Sequence, residues 1–195
     1  MEKGCVTVYA ASSPDVAESF LNAAKEVGRL LADNRKTLVC GAGRTGLMAA
    51  AIDGALLHGG DAIGVIPRFM VDNGWNHPKL TKMIVTDDMH DRKQTMISAA
   101  CGIIALPGGV GTLEELLEAI TWRQLGLYHG NIVILNLDGY YNPLIEMLQQ
   151  TIKLRFMRPD HDMLWMVADT PAEAVEMVLK DDNHSHPFTQ KIPNK

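Results

Sequence analysis

Seven short apolar, β-branched runs recur along the chain, and they constrain its fold more than any other feature. They are Val6–Tyr9, Thr37–Cys40, Ala62–Ile66, Met83–Thr86, Gly102–Leu106, Ile132–Leu135 and Leu164–Val167. Each has the length and composition of one strand. Their hydrophobicity is continuous instead of alternating, so both faces of the sheet must be covered, as happens when helices pack on both sides of parallel strands. Helix signals fall between the runs. Ser13-Pro14-Asp15 offers a cap and a first-turn proline, Leu113, Leu116, Leu117 and Ile120 mark one helical face, and Thr170-Pro171-Ala172-Glu173 opens a last helix. The spacing predicts an α/β fold with a doubly wound, mostly parallel sheet of about seven strands and helices on both faces.

With 195 residues and 47% hydrophobic composition, the chain is the size of one domain and can bury a substantial core. That domain is expected over residues 1–180. Residues 181–195 are polar, hold Pro187 and Pro193 and lack periodicity, so they read as a tail. A net charge of -5 and the absence of a basic block exclude nucleic acid as a partner. No apolar run reaches the roughly 18 residues that cross a bilayer, since Asp53 interrupts Leu47–Leu57, and the run Val6–Ala10 is too short for a secretory signal. A soluble protein is expected. Cys5, Cys40 and Cys101 are odd in number and far apart, which fits neither a disulfide framework nor a zinc site and suits a reducing cytoplasm. His184 and His186 in the tail lack a third ligand, so no metal is expected.

Two glycine turns follow strands. Gly41-Ala42-Gly43-Arg44-Thr45-Gly46 is a G-x-G-x-x-G between the second run and a helix opening near Leu47, the pattern with which a backbone approaches a phosphate at a helix N-terminus. An NAD site would also want a carboxylate at the end of the next strand, where Pro67-Arg68 stands; Asp61 precedes that strand and lies at its wrong end. A tight strand-to-helix turn explains the same residues. The second turn, Pro107-Gly108-Gly109-Val110-Gly111-Thr112, leads into Leu113-Glu114-Glu115. Its glycines free the backbone to form a nest of N–H donors, and Thr112 adds a hydroxyl, an arrangement suited to a dianionic phosphate. No Walker lysine follows, so the phosphate is an anchor and not the reacting group. Thr112-x-x-Glu115 taken alone is a capping box, but a cap does not require the preceding glycines.

Between these turns lies Asp88-Met89-His90-Asp91-Arg92-Lys93, at a strand end beside the second turn. By spacing alone it is a charged helix start, with Asp87 and Asp88 complementing the dipole and His90 on the helix surface.

These motifs, together with Ile120-Thr121-Trp122-x-Gln124-Leu125-Gly126 and Asn136-x-Asp138-Gly139-Tyr140-Tyr141, make the chain resemble the Lonely Guy proteins over nearly its whole length. Members of that family are cytokinin riboside 5'-monophosphate phosphoribohydrolases, often labelled lysine decarboxylases. The resemblance implies a Rossmann-like fold, a homodimer, no cofactor, and hydrolysis of the N-glycosidic bond of an adenine-type nucleoside 5'-monophosphate. It makes Arg92 and Glu115 the catalytic pair. Met89, Lys93, Gly108, Gly109, Val110, Gly111, Thr112, Glu114 and Thr121, with Gly41 and Gly43 of the first turn, become substrate-binding residues. Cleavage of such a bond passes through a cationic sugar, which a carboxylate stabilises while it activates water. Glu115 takes that role, kept ionised by the nearby helix dipole. A guanidinium stays charged at neutral pH, so Arg92 grips ribose or phosphate and fixes Glu115.

The chain departs from the family at three places. Gly74 stands three residues before His77 where many relatives carry glutamate, with Asp72 as the nearest replacement carboxylate; Ala42 and Ala49 stand where glycine is common. A rival reading on the same scaffold is a nucleotide-binding or molybdenum-cofactor carrier protein that turns nothing over.

Overall fold

The computed structural model describes residues 4–180, and within them the apolar runs become seven strands. These are β1 (Cys5–Tyr9), β2 (Thr37–Cys40), β3 (Ala62–Pro67), β4 (Lys82–Thr86), β5 (Ala100–Ala105), β6 (Asn131–Leu135) and β7 (Met166–Ala168). All pair in parallel, in the order β4-β3-β2-β1-β5-β6-β7. The chain therefore steps outward from β1 to β4, crosses over, and steps outward again on the other side. Loops leaving the carboxyl ends of β1 and β5 part in opposite directions, and a crevice opens between them.

Among the described residues seven α-helices cover the sheet: α1 (Glu18–Asp33), α2 (Gly46–Leu57), the short α3 (Arg68–Asp72), α4 (Met89–Ser98), α5 (Val110–Gln124), α6 (Asn142–Lys153) and α7 (Pro171–Leu179). Alternate residues of each strand serve opposite faces, which is why the strands read as unbroken apolar runs. Val6, Val8, Ile104, Val133 and Leu135 pack under α1, α2 and α7. Tyr9, Ile103, Ala105, Ile132 and Ile134 pack with Met96 of α4, Leu116 and Ile120 of α5 and Leu148 of α6.

The α1–α2 contact depends on residues with no side chain. A Cβ on Gly28 would lie 2.0 Å from the Ala51 carbonyl oxygen, and one on Gly54 would lie 2.0 Å from that of Lys25. Each helix thus carries a glycine where its partner's backbone touches it.

Two expectations need correction. The seventh run does not begin a strand at Leu164: that residue closes a 3-10 turn, Pro159–Leu164, and the ladder starts at Met166. Leu164 and Trp165 are apolar because they are buried against the α4–α6 face. The first helix starts at Glu18 and not at Pro14, because the chain ahead of it supports α2: the Ala11 carbonyl accepts from Met48 N at 3.2 Å and the Ser12 carbonyl from Thr45 Oγ1 at 2.6 Å. The last helix opens as read, its Thr170 hydroxyl accepting from Glu173 N. Among the described residues no helix is long and apolar enough to cross a membrane. The tail with His184 and His186 lies outside the described residues.

Candidate active site

The turn after β2 makes room for a side chain of the site. A Cβ on Gly41 would stand 2.1 Å from Nη2 of Arg92, so this glycine clears a path for a guanidinium. Ala42 adopts φ +65°, a left-handed conformation that disfavours a β-carbon, with its methyl fully buried. Its carbonyl accepts from His77 N at 2.8 Å, which ties the segment after α3 to the turn. A strained non-glycine residue held by its surroundings is a frequent companion of a functional site.

The second turn ends in α5, whose N-cap is Gly109 and whose start no side chain caps. The capping box that Thr112 and Glu115 would suggest by themselves does not form, because both residues lie inside the helix and Glu115 is engaged by Arg92. The amides at Val110, Gly111 and Thr112 are the orphan donors of a helix start. A Cβ on Gly109 or Gly111 would meet nothing within 4 Å, so these glycines keep the space in front of the donors empty. Tyrosines of the Asp138-Gly139-Tyr140-Tyr141 motif hold the turn from behind: Tyr140 Oη donates to the Gly108 carbonyl at 2.8 Å and Tyr141 Oη to that of Leu106 at 2.7 Å.

Arg92 reaches this place from the first turn of α4, a helix capped by Asp88, whose carboxylate accepts from His90 N and Asp91 N. Its Nε donates to the Val65 carbonyl at 3.1 Å, and its Nη1 donates to Glu115 Oε1 at 2.6 Å. The two side chains are only 8% and 11% exposed. Burial pushes the Glu115 carboxyl above the ordinary glutamate value, outweighing the opposing pull of Arg92. Its carboxylate is thus more basic than an exposed one. Such a pair costs desolvation energy, so its presence in a cleft speaks for function more than for stability.

Between the carboxyl ends of β1, β2, β3 and β5 lies a cavity of about 660 Å³. Of the residues predicted from sequence, it brings together Gly41, Gly43, Met89, Arg92, Gly109, Gly111, Thr112, Glu114 and Glu115. Gly108 sits behind the turn with its Cα against the Thr112 side chain, and Val110 points to solvent. Lys93 is held away from the cavity by a short bond to Glu114 Oε1 and a 3.3 Å ion pair with Glu118, and Glu114 raises its pKa. Thr121 lies further along α5, exposed, bonded to the Leu117 carbonyl. Asp72 is exposed at the end of α3 and does not line this cavity.

The sequence reading missed the wall facing α5, made of Met48, Ile66, Met70 and Trp75, together with Arg44 and the strip 10–13. The only signal for it was Arg44 within the glycine turn. Trp75 arrives through non-local backbone bonding that periodicity does not encode.

A crossover cavity with bare helix amides on one side and a buried arginine–glutamate pair beneath them defines a Rossmann-like protein of the kind that holds phosphorylated ligands. Within that class, the chain belongs to the family of the cytokinin riboside 5'-monophosphate phosphoribohydrolases, the Lonely Guy proteins. The matching family model, described as "Possible lysine decarboxylase", covers residues 48–178. A cytokinin riboside 5'-monophosphate phosphoribohydrolase of Rhodococcoides fascians is 39% identical over 155 residues, covering 79% of this chain and 78% of the relative. One of Arabidopsis thaliana is 36% identical over 171 residues, covering 88% and 75%. Among solved structures, the molybdenum cofactor carrier protein of Chlamydomonas reinhardtii superposes with a TM-score of 0.69 at 24% identity, over 90% of this chain and 95% of that one. At that identity the likeness concerns the fold alone. The decarboxylase description would require an amine poised for a Schiff base with pyridoxal phosphate, which wants a depressed pKa. Lys93, paired with two glutamates and shifted the other way, does not fit that group.

Proposed function

We propose that this protein hydrolyses the N-glycosidic bond of adenine-type nucleoside 5'-monophosphates, AMP or a cytokinin riboside 5'-monophosphate, to free base and ribose 5-phosphate. The observation that carries the reading is the buried Glu115 carboxylate, fixed by Arg92 one helical turn beyond the uncapped amides of α5. A 5'-phosphate seated on those amides sets the sugar against Glu115. As the glycosidic bond lengthens, positive charge on the sugar is countered by the carboxylate. Water adds to C1', its proton passes to Glu115, and the bonding pair leaves with the base, which takes up a proton from solvent. The raised Glu115 pKa favours that proton transfer, and Arg92 holds the acceptor oxygen in place.

The chain acts as a cytoplasmic homodimer in this reading. Among the described residues Cys5, Cys40 and Cys101 form no disulfide, which supports a reducing compartment. Val110 and Leu117 are exposed seven residues apart on α5, Leu125 is exposed at its C-cap and Thr121 lies between, an apolar stripe suited to a second copy. The carrier reading has only the fold behind it. Incubating the purified protein with AMP and measuring free adenine tests the proposal, and binding without release of base would replace it with the carrier.

A further inference from the structure

The cavity is chemically divided. Its α5 side offers amides, Thr112 and Glu115; its other side, built from β2, β3 and the segments after them, offers Met48, Ile66, Met70 and Trp75. Trp75 is the aromatic residue of that wall, and 51% of it is exposed. Single exposed aromatics are ordinary on a surface, but this one faces a cavity on a backbone with little freedom. Arg44 N donates to the Trp75 carbonyl at 3.0 Å, Trp75 N to that of Met70 at 3.1 Å, and Arg44 Nη1 to that of Gly74 at 2.9 Å. Asn76 pairs with Gly43 in an isolated bridge, and His77 is buried behind it. Gly74, at φ +67°, makes the turn that brings the indole to the rim. Gly74 thus sets the direction in which its neighbour leaves the turn.

We propose that Trp75 is a specificity-determining residue whose indole stacks on the purine of the nucleotide, so that this site selects ligands by their base as well as by their phosphate. The inference rests on the hydrolase reading for the positions of the phosphate and of C1'. With phosphate on α5 and C1' at Glu115, the base extends to the opposite wall, where the indole and the Met48 and Met70 thioethers form a soft, polarisable surface. An indole carried on so constrained a backbone is partly preorganised for stacking, since the ordering cost of its main chain is met before the ligand arrives.

The test compares AMP with ribose 5-phosphate, which keeps the phosphate and sugar but has no base. AMP should quench tryptophan fluorescence of the wild type, ribose 5-phosphate should not, and W75F should abolish the quench. Stacking on an aromatic is worth about 1–3 kcal/mol per base, so Trp75→Ala should weaken AMP roughly 5- to 150-fold in KM with kcat little changed, and W75F should recover most of the loss. Inhibition by ribose 5-phosphate should be unaltered in both variants. Equal weakening of AMP and ribose 5-phosphate, or undiminished AMP affinity in W75A, overturns the proposal. The fluorescence arm reads binding alone, so a wild type that binds AMP without releasing adenine defeats the hydrolase reading and leaves the stacking result to stand or fall separately.

Discussion

Gly41 and Gly43 separate two accounts of the first glycine turn, because a phosphate-binding fingerprint needs both and clearance for Arg92 needs only one. In Gly41→Ala the new methyl starts 2.1 Å from Arg92 Nη2, and ordinary contact begins at 3.4 Å, so the guanidinium must move by at least about 1.3 Å. Its bond to Glu115, 2.6 Å long, does not survive such a shift while Nε stays on the Val65 carbonyl. Breaking a buried ion pair costs about 3 kcal/mol or more, which in a chain this long lowers Tm by roughly 6–12 °C. Misplacement by about 1 Å at a catalytic group costs on the order of 100-fold in rate. In Gly43→Ala the nearest atom is the mobile Met48 Cε at 2.8 Å, which can turn aside. Adenine release from AMP and thermal melting should therefore show a large loss for Gly41→Ala and less than about 5-fold for Gly43→Ala, in line with the modest cost of small overpacking. Equal loss of AMP binding in both variants would refute the reasoning and restore the turn as a phosphate site.

Glu115→Gln should retain AMP binding and lower the hydrolysis rate roughly 100-fold or more, the range of lost acid–base catalysis; unchanged turnover removes the residue from the reaction. Because burial raises the Glu115 pKa, the acid limb of kcat/KM should lie above the ordinary carboxylate range, and in Gly41→Ala, where Arg92 no longer opposes burial, it should move higher still. The folded state then keeps a proton that the unfolded chain has released. Glu115's contribution to stability is accordingly full below the ordinary glutamate pKa and lost as pH rises through its own, and denaturant titrations of wild type and Glu115→Gln should diverge across that window. Tyr141→Phe strands the buried Leu106 carbonyl and should cost about 1–2 kcal/mol, seen as a lowered denaturant midpoint with an unchanged slope.

The strands were legible because burial on both faces leaves a local mark: β6 reads Asn131-Ile132-Val133-Ile134-Leu135 whichever helix covers it. Leu164 and Trp165 carried the same mark without belonging to the ladder, since an apolar run records burial and not hydrogen bonding. At α1 the Ser13-Pro14 signal was locally sound, yet the carbonyls of Ala11 and Ser12 were already committed to α2, a partner distant in sequence. The same limit applies to the site. Arg92 and Glu115 were read through the family's motifs, and nothing in their spacing predicts a 2.6 Å bond between helices that follow different strands. Thr112-x-x-Glu115 has the letters of a cap, and only the tertiary partner decides that the carboxylate turns away. Trp75 left no trace because its position follows from pairing between the 68–78 stretch and the glycine turn.

The order of strands also separates what can change from what cannot. The amides that would take a phosphate follow β5, whereas the Met48, Met70 and Trp75 wall follows β2 and β3 on the far side of β1. Each half hangs from its own arm of the sheet. Descendants of this scaffold can therefore remodel the stretch between Arg68 and Lys82 to admit a bulkier or smaller leaving group while the anchor that orients the sugar stays untouched.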